Sequence, residues 1–174
     1  MSSLTRLLFS ELFNGPRTID GPSIDYLDVE KLKLIAKKYH RKHRGRSMYI
    51  RECDAGSCNG CELEIHAVNG PIYDLERFGI RFASSPRHVD VLLVTGPVSS
   101  NMTEALQRTY AAIPSPKWVL AMGDCAINGG CFNSNYAVLG GVHHILPVDL
   151  TIIGCPPTPI KLLSSLLTLL KVMS

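Results

Sequence analysis

Short runs of apolar residues alternate with longer segments of helical periodicity over most of the chain. The clearest run is residues 89–95 (VDVLLVT), and similar runs occupy residues 47–51, 80–83, 118–122 and 150–153. Continuous apolar runs of this length are typical of strands buried on both faces of a parallel sheet. The segments between them predict helices. One runs from about Cys61 and breaks at Gly70-Pro71, another runs from there to Phe78, and two more cover 102–113 and 157–173. This alternation predicts an α/β fold, with an open parallel sheet and helices on both faces.

The first 46 residues have a different character from the rest. Leu4, Leu7, Leu8 and Leu12 recur at helical spacing, and a second amphipathic helix is predicted over 23–44. Residues 1–46 carry ten Lys/Arg against five Asp/Glu, whereas residues 47–174 carry eight against ten. We therefore predict an N-terminal amphipathic and basic helical arm, 1–46, attached to a flavodoxin-like α/β domain, 47–174. The arm is either a solvated helix docked on its own protein or a segment that binds a partner protein near a membrane surface.

The composition excludes several classes of protein. With 174 residues, 45% hydrophobic and 19% charged, the chain is long enough to bury a core. Aromatic residues make up only 7%, which argues against a base-stacking nucleic-acid surface. No apolar segment is long enough to span a bilayer, and no export signal is visible, so we expect the cytoplasm. Phosphate-binding loops, dinucleotide fingerprints and nucleophile triads are absent from the sequence, so binding of a nucleotide or a flavin is not expected.

Four of the six cysteines lie directly after predicted strands. Cys58 and Cys61 form a C-x-x-C loop after the first strand, Cys125 follows the fourth, and Cys155 follows the fifth. Because the carboxyl ends of parallel strands lie along one edge of a sheet, these thiols are expected to converge there. The C-x-x-C pair alone fits a redox pair, a zinc site or half of an iron–sulfur site. Cys125 and Cys155 lie in Gly- or Pro-rich loops, where a bare backbone can approach a bulky cluster, so four thiolates favour a cubane cluster.

Four motifs appear in order and together resemble one known family. They are Cys58-Asn59-Gly60-Cys61-Glu62, Ser85-Pro86-Arg87-His88-Val89-Asp90, Gly123-Asp124-Cys125 with Gly129-Gly130, and Gly154-Cys155-Pro156-Pro157-Thr158-Pro159. The combination is similar to the small subunit of [NiFe] hydrogenases and to its relative in respiratory complex I, the 20-kDa-type B subunit. The resemblance covers residues 47–172.

This resemblance implies electron transfer through one [4Fe–4S] cluster next to the active site of a larger subunit. The ligands it implies are Cys58, Cys61, Cys125 and Cys155, and the nickel–iron centre would belong to the large subunit, so this chain would not catalyse a reaction alone. Asn59 and Gly60 separate the first two cysteines, whereas complex I has adjacent ones. The chain therefore resembles the membrane-associated group 4 hydrogenases such as formate hydrogenlyase.

The same resemblance sets the expected partners and location. The partners would be the hydrogenase large subunit, a ferredoxin-like iron–sulfur subunit and membrane-arm subunits, with no nucleic acid. The chain would be peripheral, on the cytoplasmic side of the membrane. Two alternatives remain at this stage: the B subunit of a complex-I-like quinone oxidoreductase, and a structural subunit with a metal site.

Several further residues carry two interpretations each. Cys53 and Cys131 are interpreted as small buried thiols, although Cys131 could replace Cys125 as a ligand. Glu62 is either an acidic residue of a first helical turn or a proton relay between subunits. The pair Arg87 and His88 either forms a surface cap or donates hydrogen bonds that tune a cluster. The pair His143 and His144 is interpreted as loop histidines rather than as a metal site.

Overall fold

The computed structural model describes residues 26–42, 45–133 and 135–173. The predicted helix that contains Leu4, Leu7, Leu8 and Leu12 lies outside these residues. Within the described part of the chain, no helix combines the length and the apolar character that crossing a bilayer requires.

The described residues alternate between strands and helices along the chain. The strands are β1 (Met48–Asp54), β2 (Ile80–Phe82), β3 (Val91–Thr95), β4 (Trp118–Met122) and β5 (Leu150–Ile152). The α-helices are α1 (Tyr26–Lys42), α2 (Gly60–Asn69), α3 (Thr103–Ala112), α4 (Asp124–Asn128) and α5 (Pro159–Met173). Short 3₁₀ turns cover Leu75–Phe78, Pro86–His88, Gly130–Phe132 and Val142–His144.

The five strands form one parallel sheet in the order β2-β1-β3-β4-β5. Every residue of β3 is buried, as expected for a central strand that is covered on both faces. Val91 and Leu93 pack into one hydrophobic core, while Leu92 and Val94 pack into the other. The first core is completed by α1, α2 and α5, and the second by α3 and α4. The predicted α/β architecture is therefore confirmed.

Two local differences from the sequence-based prediction have clear physical causes. The predicted break at Gly70-Pro71 is observed, but the second helix predicted to run to Phe78 is only a 3₁₀ turn at Leu75–Phe78, because Asp74 adopts a left-handed conformation (φ 46°). The helix α4 was not predicted, because five residues between glycines give almost no periodic signal.

Helix α1 contributes to the core of the larger compact unit. The chain divides into two such units, residues 1–30 and residues 31–174. In the second unit, Ala36 and Tyr39 are buried among the core residues. The predicted separation into an arm, 1–46, and a domain, 47–174, stays a prediction.

Candidate metal centre

The four cysteines that follow the strands line a single pocket at the carboxyl edge of the sheet. Cys58 and Cys61 reach it from the loop after β1 and the start of α2, Cys125 from α4, and Cys155 from the loop after β5. The pocket is otherwise lined by small or polar residues: Ser57, Gly60, Gly96, Gly123, Asp124, Gly154 and Pro156. Thiols that are remote in sequence are thus brought together by the strand order.

The loop between β1 and α2 is shaped by hydrogen bonds from its own backbone. The Oδ1 atom of Asp54 accepts from the N–H groups of Gly56 (2.8 Å) and Ser57 (2.6 Å), which turns the chain back over the strand end. Asn59 takes a left-handed conformation (φ 70°), which asparagine tolerates better than most residues, and α2 begins at the next position. This turn leaves Cys58 exposed at the pocket and Cys61 half-buried.

Asp124 ties the loop after β4 to the loop after β5. Its Oδ1 atom accepts from the N–H of Gly154 (2.9 Å), and its own N–H donates to the carbonyl of Gly154 (3.0 Å). The neighbouring Cys125 and Cys155 are therefore held at a fixed separation by a reciprocal pair of bonds. The sequence alone assigns no role to Asp124, because the partner of its carboxylate lies thirty residues away and is set only by the sheet.

Glycines leave room around the thiols that a side chain would fill. A Cβ atom at Gly123 would lie 2.8 Å from the Sγ of Cys61, and one at Gly130 would lie 2.8 Å from the Sγ of Cys125. Both glycines have a positive φ, +88° at Gly123 and +52° at Gly130. A bare backbone next to soft thiol donors is what a bulky iron–sulfur group requires, so the residues present fit such a group.

Burial and mutual proximity raise the pKa values of two of the four thiols. Burial, followed by the nearby charges of Glu62 and the other cysteines, raises the pKa of Cys61 to about 12. Burial, followed by the charges of Cys155 and Cys131, raises the pKa of Cys125 to about 11. Both thiols are therefore protonated at neutral pH until a metal displaces their protons, as metal binding at thiolates does in general.

The four thiols bear on whether one metal ion or a cluster would fit. Among the described residues, no group of three or more His, Cys, Asp or Glu side chains is placed to hold a single ion. A structural zinc ion needs all of its thiolates about 2.3 Å from one centre. Thiols spread around a pocket instead suit a polynuclear cluster, whose iron atoms each take one thiolate. The four thiols lining the pocket therefore fit an iron–sulfur cluster.

Replacing Gly123 with alanine is expected to remove most of the bound iron, because the new Cβ would press on the Sγ of Cys61. Gly45→Ala is the matched control, since Gly45 has a similar φ of +81° and nothing lies within 4 Å of a Cβ there. A side chain at Gly123 (φ 88°, ψ 156°) also carries a backbone cost of about 1–3 kcal/mol, because this conformation is adopted almost only by glycine. Iron per folded chain and thermal unfolding are measured together. Equal iron content in the two variants would contradict the inference that Gly123 leaves space needed for the cluster.

The structure confirms the predicted burial of Cys53 but not that of Cys131. Cys53 is a buried residue of β1, whereas Cys131 is exposed, because it follows Gly130 in a short 3₁₀ turn, and it is close enough to Cys125 to influence its pKa. His143 and His144 are exposed, and the Nδ1 of His143 lies 3.0 Å from the carbonyl oxygen of Ile127. The two histidines are therefore loop residues.

The structure does not support Arg87 and His88 as hydrogen-bond donors to a cluster. They occupy the 3₁₀ turn Pro86–His88, which precedes the amino end of β3, and both are exposed. The cysteine pocket lies at the opposite, carboxyl edge, and neither residue lines it. Of the two interpretations of this pair, the structure therefore fits the surface position, since the turn lies at the amino end of β3.

Glu62 lies in the first turn of α2, adjacent to Cys61. Its Oε2 atom accepts from the hydroxyl of Ser57 (2.7 Å), while its buried Oε1 atom has no hydrogen-bond partner. Glu62 also lines a separate cavity of about 260 Å³, together with Arg51, Glu52 and His66. This cavity connects the position next to a proposed ligand with further titratable side chains.

Glu52 is a second carboxyl group near Glu62, and the sequence pattern did not reveal it. Burial, followed by the charge of Glu62, raises the pKa of Glu52. The hydroxyl of Thr95 donates to its Oε1 atom at 3.3 Å. Its position among the polar residues at the end of β1 gives no signal of its own, and only the fold places it near Glu62.

Comparisons with known proteins agree with this geometry. Residues 58–169 match the family described as the NADH ubiquinone oxidoreductase 20 kDa subunit. Formate hydrogenlyase subunit 7 of Escherichia coli is 42% identical over 145 residues, which are 83% of this chain and 56% of that protein. The chain thus spans little more than half the length of this relative.

The chain is also similar to components of two respiratory complexes. The B subunit of the NADH-quinone oxidoreductase of Nocardioides sp. is 50% identical over 110 residues, 63% of this chain and 59% of that protein. A chain of the archaeal membrane-bound sulfane sulfur reductase, a respiratory membrane complex, superimposes with a TM-score of 0.64 and 33% identity. That similarity covers 80% of this chain and 76% of the other.

Proposed function

Because the chain belongs to the family of the NADH ubiquinone oxidoreductase 20 kDa subunit, we propose that it is the electron-transfer subunit of a membrane-associated [NiFe] hydrogenase complex. The observation that carries the proposal is the pocket lined by Cys58, Cys61, Cys125 and Cys155. Similarity to a component of formate hydrogenlyase favours a hydrogenase within this family. The protein would pass electrons to the active site of the large subunit for the reduction of protons to H₂.

The four cysteines would hold one [4Fe–4S] cluster, one thiolate on each iron. When bound, the cluster supplies one-electron transfer, which no side chain of this protein can provide. The protein positions the four thiols through the strand order, the turn at Asp54 and the hydrogen bonds between Asp124 and Gly154. Cys53 and Cys131 would not be ligands.

Apolar side chains near the cysteine motifs support a partner protein at this edge. Leu63 and Ile153, each two residues from a proposed ligand, are 62% and 59% exposed, and Phe132 next to Cys131 is 39% exposed. Large apolar side chains exposed close to a functional pocket are typical of an interface. We assign this edge to the hydrogenase large subunit, which would carry the [NiFe] site. A ferredoxin-like iron–sulfur subunit and membrane-arm subunits would complete the complex, on the cytoplasmic side of the membrane.

Glu62 would serve as a proton relay at the same interface. Its position adjacent to Cys61, its hydrogen bond with Ser57 and its unpartnered Oε1 atom support this role, because a relay needs a carboxyl group with one oxygen free for a new partner. The alternative is a first-turn acidic residue that only complements the helix dipole. Substitution of Glu62, described in the Discussion, separates the two.

A second candidate function is that of the B subunit in a complex-I-like quinone oxidoreductase. The 50% identity to an NADH-quinone oxidoreductase component favours it, whereas Asn59 and Gly60 between the first two cysteines favour a hydrogenase. A structural subunit whose four thiols hold a zinc ion is the remaining alternative, and it would contain zinc without acid-labile sulfide.

The whole complex, purified anaerobically through a tag on this chain, tests the proposal. We expect hydrogen evolution with a reduced viologen dye as electron donor, and nickel in the preparation. Quinone reduction without hydrogen evolution or nickel would assign the chain to the complex-I-like alternative. A complex without either activity would leave only the structural role.

A further inference from the structure

The exposed face of α1 carries a continuous stripe of positive charge. Over residues 33–42, two adjacent rows of the helix, each with a spacing of four residues, point away from the core. The members of these rows are Lys33, Lys37 and Arg41 in the first and Leu34, Lys38 and Lys42 in the second. All six are exposed, whereas Ala36 and Tyr39 on the opposite side are buried. We call these six residues the α1 stripe.

Most cations of the α1 stripe have no anionic partner in the described part of the chain. The ion pairs there join Arg46 to Asp90, Arg81 to Glu76 and Arg108 to Glu104, and none uses Lys33, Lys37, Lys38 or Arg41. Like charges four residues apart on a helix repel each other. The cations near the end of α1 gain something from the helix dipole, but that effect fades beyond the last turn and does not account for Lys33. The stripe therefore costs helix stability unless it meets an anionic surface.

We propose that the α1 stripe docks on the anionic lipid headgroups of the membrane that carries the complex. The stripe is about 15 Å long, at 1.5 Å per residue, so Lys33, Lys37, Lys38 and Arg41 face a patch several headgroups wide, while Lys42 donates to the carbonyl of Met173 (3.3 Å). A membrane surface rich in anionic lipids attracts such clusters of Lys and Arg within about a Debye length. Leu34, which is 64% exposed among the cations, adds an apolar side chain able to enter the headgroup region.

The proposal rests on the membrane association proposed above, but it is independent of the metal centre. The stripe uses no residue of the cysteine pocket and no residue of the Glu62 cavity. The stripe extends along one exposed face of α1, so a broad, charged and deformable surface such as a membrane suits it.

Sedimentation of the full chain with lipid vesicles tests this docking. The probes are vesicles of phosphatidylcholine mixed with phosphatidylglycerol, and vesicles of phosphatidylcholine alone, each at low and at high salt. We expect binding only to the mixed vesicles and loss of that binding at high salt. In the triple variant Lys33→Gln, Lys37→Gln and Arg41→Gln, the affinity should fall on the order of 100-fold.

A second triple variant controls for total charge. Arg77→Gln, Arg81→Gln and Arg108→Gln remove three exposed cations that lie outside the stripe, and this variant should keep most of its vesicle binding. Circular dichroism checks that both variants are folded, and iron content checks the metal centre separately. Equal binding by the two variants, or binding to phosphatidylcholine alone, would overturn the proposal. A third outcome would also disprove the lipid proposal: the native chain does not bind vesicles, and the stripe variant fails to co-purify with partner subunits. The stripe would then bind an acidic protein surface.

Discussion

Replacing Cys155 with serine is expected to abolish the electron paramagnetic resonance signal of the reduced cluster. Cys155 is the proposed ligand from the loop after β5, and a hydroxyl is a poor replacement for a soft thiolate at iron. The substitution changes one exposed atom, so the fold itself should be little affected. The signal is recorded on the anaerobically reduced complex and normalised to the amount of folded chain.

Two cysteines outside the proposed ligand set provide the controls. Cys131→Ser changes a thiol that is exposed like that of Cys155 and lies near the same pocket, whereas Cys53→Ser changes a buried thiol in β1. Both variants should retain the signal. A normal signal in the Cys155 variant would disprove the ligand assignment. Loss of the signal in Cys131→Ser, together with its retention in Cys125→Ser, would exchange these two cysteines in the ligand set.

Replacing Glu62 with glutamine is expected to slow hydrogen evolution on the order of tenfold or more, with the cluster and the complex intact. Glutamine keeps the carbonyl oxygen that can accept from Ser57, but its amide cannot pass on a proton. Hydrogen evolution is measured with an artificial electron donor, so that electron supply does not limit the rate. Iron content and subunit recovery are measured on the same preparation.

Glu64→Gln is the matched control for this experiment. Glu64 lies on the same helix, two residues further along, and does not line the cavity next to the metal centre. Removal of its charge should leave turnover near the native rate. Unchanged turnover in Glu62→Gln with an intact cluster would reduce Glu62 to a first-turn helix residue. Equal slowing in both variants would indicate an effect of charge on α2 rather than a relay.

Much of the fold follows from the pattern of apolar residues. The run 118–122 coincides with β4 at both ends, because Gly123 stops it and every residue after Trp118 is buried. The first strand was predicted to end at Arg51, yet β1 continues to Asp54 because its last residues pair with β3 up to Thr95. Glu52 and Asp54 hide this continuation in the sequence, since polar residues in a strand look like a loop until the neighbouring strand is known.

The candidate site was predictable in its residues but not in its supporting contacts. Four cysteines, each after a strand, were enough to predict their convergence, because parallel strands present their carboxyl ends on one side. The hydrogen bonds between Asp124 and Gly154 depend on loops that meet only in the folded chain. The same is true of the short distance between Gly123 and the Sγ of Cys61. The proximity of Glu52 to Glu62 likewise arises because β1 and α2 line the same cavity, and no local sequence pattern indicates it.

The content of iron and acid-labile sulfide in the anaerobically purified protein is the decisive measurement for the metal centre. We expect about four iron and about four sulfide per folded chain, and both should fall together when Cys155 is replaced with serine. Zinc in place of iron, or iron without sulfide, would contradict a cluster held by Cys58, Cys61, Cys125 and Cys155.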